Sequence, residues 1–183
     1  MIIEINESNL KFNEIQDFSY KVRAILTDEN ENILIANYGG VYLLPGGSVD
    51  KDESISNALI RELSEELGEA YNYNELNYLA CLNYYQNNYP TRNGENKNRL
   101  VQTHYYVGKI KSFCEQKQEL TEKEKRGNFR LELIPLKDIE TIILGNVTSN
   151  PRNIYFQKEL MIILEQYKKF FVKSARVRKI ENN

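Results

Sequence analysis

Gly47-Ser48-Val49-Asp50-Lys51-Asp52-Glu53, followed after Ser54–Ile60 by Arg61-Glu62-Leu63-Ser64-Glu65-Glu66-Leu67-Gly68, is the stretch that decides how this chain is read. Glu62, Glu65 and Glu66 stand at i, i+3 and i+4. On a helix, all three leave from one face. Like charges at that spacing cost a helix roughly 0.2–0.5 kcal/mol per pair. Gly68 is a natural helix stop, since glycine enters the left-handed region freely. The acids therefore crowd the last turns, where the helix dipole disfavours negative charge. Glu69 adds a further carboxylate, and Arg61 is the only nearby base in sequence. Both local effects oppose the arrangement, and a hard divalent cation such as Mg²⁺ would compensate it.

The flanks support a cleft. At ~100° per residue, Leu59, Ile60, Leu63 and Leu67 form an apolar stripe beside the acidic one. One face buries while its neighbour stays open. Upstream, Leu43-Leu44-Pro45-Gly46-Gly47 ends a β-like run in paired glycines, which permit tight turning and close backbone approach to a ligand. A glycine carbonyl there adds a further oxygen for a metal. The bland alternative, a solvated acidic helix face, leaves these flanks unexplained.

The pattern resembles the Nudix box, G-x5-E-x7-R-E-U-x-E-E-x-G-U, with U a bulky aliphatic residue. Gly47, Glu53, Arg61, Glu62, Leu63, Glu65, Glu66 and Gly68 fill its defined positions. The last position departs: Glu69 stands where an aliphatic residue is preferred, which bears on the helix end rather than on metal ligation. The resemblance implies an α/β/α sandwich with a mixed, largely antiparallel sheet between helices. Periodicity alone gives only an α+β class.

Bulk properties set the remaining bounds. Apolar residues are 41% and charged residues 27% of the 183, as in a globular protein, and one domain over 1–183 is the expectation. The net charge of −2 argues neither for nor against nucleic acid. No apolar run is long enough to span a bilayer. The N-terminus lacks the pattern of a signal peptide, so a cytoplasmic protein with no membrane partner is expected. Cys81 and Cys114 are isolated and read as idle thiols in a reducing compartment. His104 is the only histidine. Zinc–histidine and Ser-His-Asp chemistries are therefore disfavoured, and the chemistry rests on carboxylates and metal.

Along the chain, Tyr20–Thr27, Ile33–Ala36, Val41–Leu44 and Phe129–Pro135 read as strands. Leu76–Gln86 and Leu100–Ile110 read as a long hairpin joined by a polar link, Asn87–Arg99. The helix of the box runs from about Glu53 to Leu67 with Asp52 as N-cap. Gln116–Asn128 is a charged loop or short helix, and Asn153 to about Lys173 is a closing amphipathic helix.

Glutamates on a metal suggest water activated against a phosphorus centre. The resemblance sharpens this to hydrolysis of a nucleoside diphosphate linked to another group X. It implies Glu62, Glu65, Glu66 and the Gly46 carbonyl as ligands of Mg²⁺, with Mn²⁺ an alternative. It also implies that Arg61 orients the box glutamates and that Glu53 supports the loop and helix. The general base is open between Glu62, Glu66 and a late-loop acid, Glu122 or Glu124. Tyr84 and Tyr85 are candidates to stack on a base, against core packing of one of them. Arg92, Lys97 and Arg99 in the polar link are candidates to approach phosphate, against a solvated loop. The resemblance also implies that ADP-ribose-specific members commonly carry a proline some fifteen residues past the box; its absence here weakly disfavours ADP-ribose and puts a nucleoside triphosphate or dinucleoside polyphosphate ahead.

Two other readings stand beside this one. The first is a binding module of the same fold that senses a nucleotide without cleaving it. The second is a hydrolase of RNA 5′ ends, which rests on the basic tail between Lys168 and Lys179 near the end of the chain (about 168–183); nucleic acid is otherwise not an expected partner. The family resemblance also makes a homodimer a candidate state, although no stretch locates an interface.

Overall fold

The alternation in Lys21-Val22-Arg23-Ala24-Ile25-Leu26 sorts side chains to two faces, and both faces are covered. The computed structural model describes residues 1–91 and 93–170, and beyond them the helical backbone to residue 181. The strands are β1 (Ile2–Ile5), β2 (Asp17–Thr27), β3 (Asn32–Tyr38), β4 (Val41–Leu43), β5 (Asn77–Pro90), β6 (Asn96–Lys109) and β7 (Arg130–Pro135). The helices are α1 (Ile55–Leu67), α2 (Glu122–Arg126), α3 (Ile139–Leu144) and α4 (Asn153–Glu181).

The sheet runs β1-β5-β6-β2-β3-β4, with β7 also on β3. The β1/β5 and β2/β6 pairs are parallel, and the β5/β6, β2/β3, β3/β4 and β3/β7 pairs are antiparallel. This is the mixed, largely antiparallel sheet between helices that the resemblance implied.

Two apolar clusters occupy the two faces. Val22, Ala24, Leu26, Leu34 and Ala36 pack against Ala58, Leu59, Leu63 and Leu67 of α1. Ile25, Ile33, Ile35 and Tyr105 pack against α3 and α4 through Ile139, Ile143, Leu160, Ile163 and Leu164. Because central strands bury both faces, they read as continuous apolar runs. The stripe expected on the box helix is the buried one at Leu59, Leu63 and Leu67, while Ile60 is only partly buried.

Several boundaries differ from the sequence reading. The α1 N-cap is Ser54, whose hydroxyl accepts from Asn57 N at 3.1 Å. Asp52 instead sits in the left-handed region (φ 65°) in the turn before it. Gly68 ends the helix with φ 67°, as expected. The polar link Asn87–Arg99 is mostly strand: β5 continues to Pro90 and β6 begins at Asn96. A register shift between Gln86 and Tyr89, with Asn88 at φ 50°, carries the pairing past the polar residues. Strand β1 and helix α3 were missed, because four and six residues are too short to show a period. Among the described residues no helix is long and apolar enough to cross a membrane.

Candidate active site

The loop from Leu44 to Val49 lies along β2, where Ala24 N donates to Pro45 O (2.9 Å), Val22 N to Gly47 O (3.0 Å) and Val49 N to Tyr20 O (3.0 Å). Its glycines are required by space. A Cβ on Gly46 (φ 122°) would lie 2.3 Å from the Val22 carbonyl oxygen, and one on Gly47 would lie 2.2 Å from the Glu62 carboxylate. Loop backbone and the acidic face of α1 are thus in direct contact.

Arg61 ties the two together. Its Nε and Nη2 donate to the two oxygens of Glu53 at 2.9 and 2.8 Å, and Nη2 also donates to Ser48 O at 3.0 Å. Its Nη1 reaches Glu62 Oε1 at 3.0 Å and Glu65 Oε2 at 3.5 Å. The bidentate pair fixes both partners' planes. Glu53 is held below the usual carboxylate range by this bond, and the Arg61 guanidinium is held firmly in its charged form, first by Glu53.

Glu66 is 5% exposed and accepts from Gly46 N at 2.7 Å. Burial pushes its carboxyl well above the usual range, against the pull of that bond and of the Arg23 charge. Burial also raises Glu62 and Glu65, more than Arg61 lowers them. Three carboxylates on one helix face are therefore short of positive charge, which suits a divalent cation. As placed, the oxygens are turned to Arg61 and to the Gly46 N–H, and among the described residues no three acids converge as a ready metal cage. A cation would compete with those donors for the same oxygens. The Gly46 carbonyl faces the Arg23 guanidinium, with Nη1 at 3.3 Å, and Arg23 also donates to Leu44 O.

These groups form one end of a cleft of about 920 Å³. Of the late acids, Glu124 lines it, and its charge raises Glu62, Glu65 and Glu66. The Glu124 carboxylate caps its own short helix through Thr121 N and Oγ1, at 2.7 and 2.8 Å. Glu122 faces outward and pairs with Lys125 at 3.1 Å. Lys97 and Arg99 line the cleft, whereas Arg92 lies outside the described residues, as do the basic side chains beyond Phe170.

Tyr84 and Tyr85 do not line the cleft. Tyr84 is 5% exposed in the core, with its ring against Tyr155. Tyr85 points to the opposite face, beside Glu4. The tyrosines at the cleft are Tyr38 and Tyr89. Sequence reasoning missed Tyr89 together with Lys21, Arg23 and Arg152, which arrive from distant segments. The alternation in β2 was a usable signal, because it puts Lys21 and Arg23 on one face.

Comparison with known proteins agrees with this geometry. A sequence model of the NUDIX domain matches residues 18–156. The chain belongs to the Nudix family. It is a hydrolase of the class that acts on phosphorus-containing anhydrides. A comparison with curated proteins finds no match.

Solved structures of Nudix proteins share the fold. A MutT NUDIX hydrolase from Burkholderia pseudomallei is 19% identical, with TM-score 0.54, over 82% of this chain and 98% of that one. The NUDIX domain of Shewanella oneidensis NrtR, complexed with ADP ribose, is 19% identical, with TM-score 0.55, over 91% of this chain and 99% of that one. A bifunctional NMN adenylyltransferase/ADP ribose pyrophosphatase from Francisella tularensis, complexed with AMP and a manganese ion, is 21% identical, with TM-score 0.52, over 83% of this chain and 42% of that one. Nudix hydrolases generally use a divalent metal.

Proposed function

We propose that this Nudix protein is a Mg²⁺-dependent pyrophosphohydrolase that cleaves the diphosphate linkage of a nucleoside diphosphate joined to a phosphate-rich group X, a nucleoside triphosphate or dinucleoside polyphosphate ahead of ADP-ribose. The observation that carries it is the pairing, in one cleft, of undercompensated glutamates with a row of cations. Lys21, Arg23, Lys97, Arg99 and Arg152 line the same space as Glu62 and Glu66. Such a row offers charge to phosphates beyond the pair being cleaved, which a sugar would not use.

Glu62, Glu65, Glu66 and the Gly46 carbonyl would hold the cation, with Mn²⁺ able to replace Mg²⁺. When bound, it neutralises phosphate oxygens and lowers the pKa of water. The chain's own residues do the rest. Arg61, clamped by Glu53, sets the planes of Glu62 and Glu65. Arg23 and Lys21 attract the diphosphate into the cleft. For the proton of the attacking water, Glu62, Glu66 and Glu124 remain the candidate bases; Glu122, directed outward, is set aside. Glu62 and Glu66 combine burial with a raised affinity for protons, the property a base near neutral pH needs.

The test is a panel of nucleoside triphosphates, dinucleoside polyphosphates, nucleotide sugars, ADP-ribose and 5′-triphosphorylated RNA, with Mg²⁺ or Mn²⁺ and product identification. Faster turnover of the phosphate-rich small molecules is expected. Preference for ADP-ribose would overturn the assignment of X. Tight binding without hydrolysis across the panel would replace catalysis by a binding role.

A further inference from the structure

The end of the cleft far from the glutamates is built with care that core packing does not require. Tyr89 is 6% exposed. Two guanidiniums rest on its ring: Arg99 Cζ lies 4.8 Å and Arg152 Cζ 5.8 Å from the centroid. Tyr155 packs on the same ring at 5.3 Å and donates its hydroxyl to Asn87 O at 3.1 Å. Arg99 Nε lies 2.9 Å from Asp17 Oδ2 in an ion pair without hydrogen-bond alignment, and Arg152 Nε donates to the Pro90 carbonyl at 3.0 Å. Both contacts engage Nε, so neither occupies the terminal nitrogens. β2, the β5/β6 hairpin and the start of α4 thus converge on one aromatic ring.

The electrostatics of this corner are unbalanced. Two like charges share one ring, and Asp17 pairs with only one of them. The polar contacts of the Arg152 side chain among the described residues reduce to the Pro90 carbonyl. Lys21 and Lys97 line the cleft nearby, Lys97 in an ion pair with Glu95 at 3.1 Å. The first turn of α4 lines it too, through Phe156, and brings the positive end of a long helix. A buried tyrosine carrying two oriented guanidiniums is a poor way to fill space and a good way to present a planar fork to phosphate oxygens.

We propose that Arg99 and Arg152, fixed on Tyr89, form a second phosphate subsite that holds the distal phosphates of a substrate with an extended polyphosphate chain. Asp17 and Arg99 are register partners six residues before the Arg23–Tyr105 pair. At ~3.3 Å per residue, that places the fork roughly 20 Å along the sheet from Arg23, with Lys21 between them. The cations therefore form a track that leads from the glutamates to the fork. The proposal rests on reading the cleft as a phosphate site. It goes further by assigning specificity for chain length to a pair of residues outside the Nudix box.

Calorimetric binding of inorganic tripolyphosphate to the full chain, in chelator and low salt, tests it without metal or turnover. The wild type is expected to bind tripolyphosphate more tightly than orthophosphate, with an affinity that falls as salt rises. Arg152→Gln and Arg99→Gln are each expected to weaken tripolyphosphate binding by about tenfold, one charge-assisted contact's worth, with Arg152→Lys recovering part of the loss. Unchanged affinity in both glutamine variants overturns the subsite. A thermal melt of each variant checks folding, and Lys97→Gln, at a half-buried position on the cleft, carries the same direction of effect should a variant fail to fold. In the metal-loaded enzyme, Arg152→Gln should raise KM, while sparing kcat, for a substrate whose phosphate chain is long enough to run from the glutamates to the fork, and should leave KM unchanged for a dinucleoside tetraphosphate, whose chain is too short to reach it. An enzyme that binds tripolyphosphate through the fork yet hydrolyses no anhydride would defeat the proposed function and leave the subsite standing; the reverse result would do the opposite.

Discussion

The two ends of the cleft are made in opposite ways. At the acidic end, one loop and one helix supply the box residues: Gly46, Gly47, Glu53, Arg61, Glu62, Glu65 and Glu66 lie within 21 residues. At the basic end, Asp17, Tyr89, Arg99 and Arg152 come from segments up to 135 residues apart (152 − 17). The acidic end carries carboxylates that burial raises, and the basic end carries more cations than acids. The contrast teaches a division of labour. The local, helical end suits a reaction that needs fixed spacing between oxygens. The end assembled by tertiary contacts suits discrimination, because each residue can change without disturbing the box.

Breaking the acidic end should have the largest effect. Glu65→Gln and Glu66→Gln are expected to lower kcat by on the order of 10³-fold with the fold intact, read by steady-state kinetics and circular dichroism. Arg61→Ala should come next. It frees Glu53, Glu62, Glu65 and the Ser48 carbonyl at once, for a loss of about 10–100-fold in metal-dependent activity. Breaking the basic end, by Arg152→Gln, should appear as a roughly tenfold rise in KM on a long polyphosphate substrate with little change in kcat.

A smaller effect concerns stability. Burial makes the folded state hold the Glu66 proton more tightly than the unfolded chain does. The metal-free protein should therefore lose stability as pH climbs from the ordinary carboxylate range toward the raised value. Glu66→Gln removes that contribution to the slope and, above that window, should make the metal-free protein more stable by ~1 kcal/mol, measured by denaturant melts at several pH values. Tyr85→Phe should do least, leaving kcat and KM unchanged, since Tyr85 lies outside the cleft; a loss of activity there would return it to the substrate path.

The same contrast explains what could be read from the sequence. Spacing alone exposed the Glu62, Glu65 and Glu66 face, the Gly68 stop and the paired glycines, because helices and tight turns encode their geometry within a few residues. The structure adds why those glycines are needed, with Val22 and Glu62 in the space that a side chain would fill. Tyr84 and Tyr85 were the candidates and Tyr89 was not, since β5 gives no local sign of which tyrosine reaches the cleft. The register shift after Gln86 decides it. Asn87–Arg99 looked like a loop because it is polar, yet its ends continue the hairpin. Arg152 precedes a helix in an unremarkable Asn-Pro-Arg-Asn stretch, and only the return of α4 across the sheet brings it to Tyr89.

The most direct test of the central claim is Mg²⁺-dependent hydrolysis of a dinucleoside tetraphosphate by the wild type and by Glu66→Gln, with products identified and both proteins shown to be folded. The account predicts nucleotide products from the wild type, dependence on added metal, and near-complete loss of turnover in the variant. Near-wild-type hydrolysis by Glu66→Gln in the presence of metal would contradict it.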